Sequence, residues 1–282
     1  MRELCDLSSY KKNKDYLLCV DSDGCVMDTM DIKHIRCFGP CLVKEWELFD
    51  HEEEILKRWD DINLYTMTRG INRFKGLDIM LREIHEKYCP IEDIASYSQW
   101  MKETKAFSSE CLREAWEANK SSCLKKALSW SDMVNRSIAA LPEEDMLPFL
   151  GAREVLEYAK SFCDIAIVSS ANKNALFSEW TRHDLLDHVD ILLAQDSGTK
   201  SSCIKALLEK GYRRENVLMI GDAPGDMEAA DRNQVHFFPV SVGKESLCWE
   251  EFLEALTQKE NFESFTPEYL KKLRADFIDN LS

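Results

Sequence analysis

The sequence lacks the patterns of zinc-binding, membrane-spanning and repetitive proteins. None of its 11 cysteines forms a C-x-x-C pair, and no spacing of cysteine and histidine matches a zinc site. Its longest apolar runs have the length of a strand, whereas a membrane helix needs about 20 apolar residues. It contains no internal repeat and no low-complexity segment. We therefore expect a folded protein that does not cross a membrane.

The opening residues lack a secretory signal, because Met1 to Asp6 contain no apolar segment. The cysteines are scattered along the chain, which is typical of a reduced protein whose thiols pack as small hydrophobic side chains. Together these features predict a cytoplasmic location.

Positive charge is scarce as well. The chain has 36 Lys and Arg residues against 51 Asp and Glu residues, a formal net charge of −15. This balance argues against nucleic acid and anionic membranes as partners, because both favour an excess of basic residues. A small anionic substrate does not conflict with it, since such a substrate needs only a local cationic pocket. The length of 282 residues and a hydrophobic content of 45% predict one large domain or two.

Three short apolar runs each end in a polar cluster. Uninterrupted runs of this length indicate strands that are buried on both faces of a parallel sheet. Segments with helical periodicity lie between them, and such alternation predicts an α/β fold with a Rossmann-like, doubly wound parallel sheet. In such sheets ligands bind at the carboxyl ends of the strands, where the polar clusters fall. The three runs and their clusters are Tyr16 to Val20 before Asp21, Ile165 to Val168 before Ser169, and Val217 to Ile220 before Gly221-Asp222.

The stretch between the first run and the second has no clear strand pattern. Lys44 to Trp59, Gly76 to Tyr88 and Ser108 to Ala140 instead carry apolar residues at three- and four-residue spacing. We therefore predict an all-helical domain over residues 32–145. It would be inserted into a discontinuous α/β domain formed by residues 1–31 and 146–282.

Two pairs of carboxylates stand out at the ends of the predicted strands. Asp21 and Asp23 follow the first strand, and Asp222 and Asp226 follow the last. Each pair alone also fits an acidic turn. Together, however, four carboxylates at one sheet edge would repel one another unless a cation lies between them. Hard oxygen ligands with room for water suit Mg²⁺.

Two further residues complete a set that suits phosphoryl transfer. Ser169 supplies a hydroxyl group after the second strand, and Lys200 supplies a cation at the start of the helix before Gly221-Asp222. A carboxylate nucleophile, a metal, a hydroxyl donor and a lysine are the groups that this chemistry requires.

In this order the residues resemble the four motifs of the haloacid dehalogenase superfamily, in the branch whose helical cap (C1) follows the first motif. The first motif is Asp21 to Thr29, the second is Ser169, the third is Lys200, and the fourth is Gly221-Asp222 with Asp226. Cys25 departs from the pattern, since the family often has threonine there. The resemblance implies a Rossmann-like core with a helical cap.

The resemblance also implies roles for the residues of the first motif. Asp21 would attack phosphorus and form an aspartyl-phosphate. Asp23 would protonate the leaving oxygen and then deprotonate the attacking water. Dehalogenases and phosphonoacetaldehyde hydrolases of this superfamily lack an acid at the position of Asp23, so its presence favours a phosphatase.

The remaining motifs would hold metal and phosphate. Mg²⁺ would be bound by the Asp21 carboxylate, the Asp23 backbone carbonyl and Asp222, with Asp226 as a further ligand or just outside the ligand set. Two other residues would contact the phosphoryl group and offset its charge, namely Ser169 and Lys200.

The expected function is therefore Mg²⁺-dependent hydrolysis of a small phosphorylated metabolite, a phosphomonoester, through an aspartyl-phosphate. Two alternatives stay open. A sugar phosphomutase would use the same intermediate but return the phosphoryl group to a substrate hydroxyl. A non-catalytic binding module on this fold would be expected to have lost at least one catalytic residue, and none of them is missing here.

Within the predicted cap, residues 68–76 form a basic segment that contains Arg69, Arg73 and Lys75 and no acidic residue. Gly70 to Arg73 resembles a cap loop of β-phosphoglucomutases and related sugar-phosphate phosphatases. We hypothesise that Arg73, with Arg69 or Lys75, contacts a polar or anionic part of the substrate. The alternative, a solvated basic turn between helices, stays open.

Overall fold

A computed structural model describes residues 6–259 and 262–282. The prediction that the chain lacks a secretory signal concerns Met1 to Asp6, and residues 1–5, including Cys5, lie outside the described ranges. The chain divides into two compact units. One unit, called the core below, comprises the residues up to Met30 together with Met146–Ser282, and the other, called the cap, comprises Asp31–Asp145. Within residues 6–259 and 262–282, the helices are too short or too polar to span a bilayer.

The core is built on a parallel sheet, which confirms the predicted fold class. In the described part of the chain this sheet has five strands, namely β1 (Tyr16–Val20), β2 (Cys163–Val168), β3 (Ile191–Leu193), β4 (Val217–Gly221) and β5 (His236–Pro239). Their order across the sheet is β3-β2-β1-β4-β5. The first strand is central, so that Leu18 pairs with Ile165 on one side and Leu218 on the other. Its neighbours carry the other predicted polar clusters.

In the described residues of the cap, the regular secondary structure is helical. Its apolar centre is rich in aromatic side chains, including the fully buried Trp59 and Trp130. Asn72, Ser108 and Ser121 accept backbone N–H groups at the starts of three helices and so satisfy donors that lack a partner within the helix. The helices from the core boundary onward are α1 (Met30–Lys33), α2 (Gly39–Trp46), α3 (Glu52–Asp60), α4 (Arg73–Lys87), α5 (Ile94–Glu103), α6 (Ser109–Asn119) and α7 (Ser122–Ala139).

Two long helical patterns in the cap are each divided into two helices. The pattern over Lys44 to Trp59 breaks at Glu47, and the pattern over Ser108 to Ala140 breaks at Lys120. Both residues adopt the left-handed conformation, with φ of 57°, and thereby end the preceding helix. These breaks are difficult to predict from the sequence, because glycine is the usual residue at such positions and neither Glu47 nor Lys120 is a glycine.

Further helices flank both faces of the core sheet. The segment after β5 supplies two of them, α12 (Glu245–Gln258) and α13 (Pro267–Asn280), which pack on opposite faces of the sheet. Phe252 of α12 lies against Phe238, and Phe277 of α13 lies against Phe237. The other core helices are α8 (Ala152–Ala159), α9 (Lys173–Arg182), α10 (Lys200–Leu208) and α11 (Pro224–Asn233).

Candidate active site

The predicted site residues of the core meet at the carboxyl edge of the sheet. Asp21 follows β1, Ser169 follows β2 and Asp222 follows β4, and all three side chains are buried. Asp226 lies in the first turn of α11 and is also buried. The strands are parallel, so their ends bring together residues that are far apart in the sequence.

Lys200 lies between two of these carboxylates. Its ammonium nitrogen is 2.5 Å from Asp21 Oδ2 and 2.6 Å from Asp226 Oδ1. Burial alone would lower the pKa of Lys200, but the attraction of Asp21 and Asp226 outweighs it and raises the pKa above its ordinary value. The lysine is therefore a fixed positive charge, which is what a site for a phosphate ester needs.

Three carboxylates form a group that suits a metal ion. Asp21, Asp222 and Asp226 each place an oxygen within 4.8 Å of the others. Burial raises the pKa of Asp226; Lys200 acts against this, while Asp21 and Asp222 add to it. A dication among these oxygens would remove the repulsion, and an oxygen-only donor set fits Mg²⁺.

Gly221 allows Asp226 to approach the end of β4. A Cβ atom on Gly221 would lie 2.2 Å from Asp226 Cγ and 2.4 Å from its Oδ2. Asp226 Oδ2 also accepts the backbone N–H of Ala223 at 3.1 Å. Both oxygens of Asp226 thus have a donor in the protein, since Oδ1 is bound to Lys200.

The loop after β1 turns tightly and presents Asp23. Gly24 has φ of 77°, a conformation that favours glycine, and its N–H donates to Met27 O at 2.9 Å. Thr29, which is fully buried, donates its hydroxyl to Asp23 Oδ1 at 2.7 Å. No role for Thr29 follows from the sequence, in which its position inside the first motif is the one signal.

Two other motif residues have simpler surroundings. The Oγ atom of Ser169 accepts the N–H of Ala171 at 3.2 Å, which leaves the hydroxyl proton of Ser169 for another acceptor. Cys25 is completely buried, and burial raises the pKa of its thiol well above the ordinary value, with the nearby carboxylates adding to the effect. Cys25 is therefore an unreactive packing residue.

The basic segment of the cap places its two arginines against other cap residues. Arg69 is buried; it donates to Leu64 O at 2.8 Å and lies 3.9 Å from Asp31 Oδ1. Arg73 is half-buried and donates to Asn135 Oδ1 at 2.8 Å. These contacts show how the cap orients both guanidinium groups.

Lys75 is the exposed member of the same segment, with its ammonium 4.7 Å from the ring centre of Phe107. Arg73 likewise stacks on an aromatic ring, at 5.0 Å from that of Phe38. The hypothesis that Arg69, Arg73 and Lys75 contact the substrate stays a prediction.

Comparison with known proteins agrees with this fold. The family model described as haloacid dehalogenase-like hydrolase matches residues 84–240, a range that includes Ser169, Lys200, Asp222 and Asp226. None of the curated proteins matches the chain.

Solved structures resemble the chain at low sequence identity. A protein from Lactobacillus delbrueckii subsp. bulgaricus, assigned as a phosphoglycolate phosphatase, is 16% identical with a TM-score of 0.53, over 86% of this chain and 99% of that one. A hydrolase from Pseudomonas syringae is 15% identical with a TM-score of 0.52, over 86% and 98% of the two chains. At these identities the likeness concerns the fold. Because the family match spans more than half of the sequence, the chain belongs to the haloacid dehalogenase-like hydrolase family, in the branch with a helical cap inserted after the first strand.

Proposed function

We propose that the protein is a Mg²⁺-dependent phosphatase that hydrolyses a small phosphomonoester through an aspartyl-phosphate on Asp21. The observation that carries this proposal is the buried group at the sheet edge. There the ammonium of Lys200 contacts Asp21 and Asp226, and Asp222 lies beside them. A carboxylate, a fixed cation and a set of oxygen ligands within one site are the requirements of metal-assisted phosphoryl transfer.

In the first step, a carboxylate oxygen of Asp21 attacks phosphorus and the bond to the ester oxygen breaks. Asp23 gives its proton to that oxygen, which leaves as an alcohol. In the second step, Asp23 takes a proton from water, whose oxygen attacks phosphorus and releases inorganic phosphate. The carboxylate of Asp21 is regenerated, so that the sum of the two steps is hydrolysis of the ester.

The other residues act on charge and orientation. Lys200 offsets the negative charge that gathers on the phosphoryl oxygens, and the Ser169 hydroxyl donates to one of them. Mg²⁺ would be held by Asp21, Asp222 and the Asp23 carbonyl, and it would supply further positive charge at the phosphoryl group. Asp226 binds Lys200 and Ala223 with its two oxygens, which supports a position just outside the ligand set.

The proposal is tested with a panel of phosphomonoesters, measuring phosphate release with Mg²⁺ and with excess EDTA. We expect Mg²⁺-dependent release from at least one small ester, with loss of activity in Asp21→Asn. Asp187→Asn is the matched control, because Asp187 is exposed and precedes β3. It therefore lies at the amino end of the parallel strands, whereas the candidate site lies at their carboxyl end. Full activity of Asp21→Asn, or activity that survives metal removal, would contradict the proposal. Conversion of a sugar phosphate into an isomer without phosphate release would favour the phosphomutase.

A further inference from the structure

Two buried tryptophans of the core donate hydrogen bonds to the same loop. Five of the seven tryptophans in the sequence lie in the cap, and the other two are Trp180 and Trp249. Trp180, on α9, donates its indole N–H to Ser22 Oγ at 2.9 Å. Trp249, on α12, donates its own to the backbone oxygen of Cys25, also at 2.9 Å. Both indoles are almost completely buried, as is Ser22.

The loop that receives these bonds carries the two carboxylates of the first motif. Ser22 lies between Asp21 and Asp23, and its N–H donates to Asp21 Oδ1 at 2.7 Å. Its carbonyl oxygen accepts the N–H groups of Cys25 at 3.2 Å and Met27 at 2.8 Å. Ser22 is therefore the point through which the turn is tied both to the nucleophile and to Trp180.

The two donors come from separate parts of the fold. Trp180 belongs to the helix that follows β2, whereas Trp249 lies beyond residue 240, where the family match ends. Trp249 also packs closely against Gly151. The approach is so close that a Cβ atom added to Gly151 would lie 3.0 Å from Trp249 Cβ. The loop is thus bonded at two points by two separate helices.

We expect these two hydrogen bonds to hold the backbone of the loop in one conformation. An indole offers one N–H and no acceptor, so replacement by phenylalanine keeps much of the buried ring and removes the bond. The acceptor on the loop then loses a donor in a place that water does not reach. Ser22 and Cys25 would be free to shift, and a small shift there moves the carboxylates on either side of Ser22.

We propose that Trp180 and Trp249 are positioning residues that fix the loop carrying Asp21 and Asp23. They touch neither substrate nor reacting atoms and act through Ser22 and Cys25. The fixation of the loop stands on the hydrogen bonds alone, while its effect on turnover rests on the proposed phosphatase function.

The loop itself is tested by hydrogen–deuterium exchange on Trp180→Phe and Trp249→Phe, followed in peptides that cover residues 21–28. We expect exchange of the loop amides to become about tenfold faster in each variant. Trp130→Phe is the matched control, since this fully buried indole donates to Phe38 O at 3.2 Å inside the cap. It should leave loop exchange unchanged. Unchanged loop exchange in both core variants would overturn the proposal.

A variant of the acceptor residue tests the same hydrogen bond without replacing a tryptophan, and so remains informative if the tryptophan variants do not fold. Ser22→Ala removes the acceptor of Trp180 and leaves the indole in place. Its effect on loop exchange should match that of Trp180→Phe, and combining the two should add little, because both remove the same bond. Fully additive effects would show that the bond does not fix the loop.

The effect on turnover is measured with a phosphomonoester that the unaltered chain hydrolyses. We expect kcat to fall about 10- to 100-fold in Trp180→Phe and Trp249→Phe, with KM nearly unchanged. A fall in Tm with normal kcat and normal loop exchange would mean that the indoles only pack, which would overturn the proposal. If the unaltered chain hydrolyses no phosphomonoester, the phosphatase proposal fails, and loop exchange still decides the positioning claim.

Discussion

Thr29 donates its hydroxyl group to Asp23 at 2.7 Å from a fully buried position at the end of the first motif. The residue expected to move protons during turnover is therefore held by a side chain that lies two residues before the cap begins at Asp31. This bond stabilises one orientation of the Asp23 carboxyl group and should help to align it for proton transfer.

The first prediction concerns this bond. Thr29→Val keeps the shape of the side chain and removes the donor, so we expect kcat to fall about tenfold on alkyl phosphates, whose leaving oxygen needs a proton. The loss should be smaller on 4-nitrophenyl phosphate, whose leaving group departs without one. Thr29→Ser retains the hydroxyl and should stay close to the unaltered chain. Equal losses on both substrates would indicate a purely structural role.

The second prediction concerns the cation between Asp21 and Asp226. Lys200→Met leaves buried carboxylates without their partner, and we expect the free energy of unfolding to fall by about 3–5 kcal/mol in metal-free buffer. Added Mg²⁺ should restore part of the loss by binding the folded state. Lys205→Met is the matched control, because Lys205 is exposed on the same helix, α10. Urea unfolding measures both, and equal losses in the two variants would refute this account of Lys200.

The third prediction concerns the close approach of Gly221 and Asp226. Gly221→Ala would place a Cβ atom 2.2 Å from Asp226 Cγ, so the carboxylate must move. We expect a loss of about 1–3 kcal/mol in unfolding free energy and weaker Mg²⁺ binding by calorimetry. Gly225→Ala is the control, because its Cβ atom would meet nothing within 4 Å. Unchanged stability together with unchanged Mg²⁺ affinity in Gly221→Ala would contradict the role given to Asp226 beside the ligand set.

The fourth prediction concerns pH and the cap. Burial, together with the carboxylates of Asp31 and Asp61, raises the pKa of Asp60 from 3.8 to about 6. Folding therefore favours the protonated form, so this residue destabilises the cap above pH 6, and the penalty disappears as pH falls towards 4.

Asp60→Asn should accordingly raise the unfolding free energy at neutral pH by about 1–2 kcal/mol, a value reduced for solvent screening of a half-buried group. The gain should vanish below about pH 4. Asp132→Asn, at an exposed position of α7, should change little at any pH. Thermal unfolding across this pH range measures both variants, and a gain that persists at low pH would contradict the assignment.

Much of the core could be predicted from short-range patterns. The apolar runs before Asp21, Ser169 and Asp222 are uninterrupted because both faces of their strands are buried, and the structure shows strands at all three. The edge strand β5 carried no comparable signal, since it has four residues and ends at Pro239. Parallel pairing then explains why residues that follow different strands meet at one edge.

The remaining features depend on contacts between distant residues. Trp180 and Ser22 are separated by 158 positions, and no local pattern links an indole on one helix to a loop after another strand. The surroundings of Arg69 were equally hidden, because a basic segment looks the same whether its arginine is solvated or buried against Leu64 O. The partner of Trp180 and the burial of Arg69 both depend on the direction of the side chain within the tertiary structure, which sequence periodicity does not indicate.

The central claim is that Asp21 becomes phosphorylated during turnover. It is tested most directly with Asp23→Asn, which lacks the base for the second step and should accumulate the intermediate. After incubation with 4-nitrophenyl phosphate and Mg²⁺ and an acid quench, peptide mass spectrometry should find one phosphoryl group on Asp21, and none in a variant that also carries Asp21→Asn. A phosphoryl group on another residue, or release of phosphate from the Asp21→Asn chain at the full rate, would contradict the account.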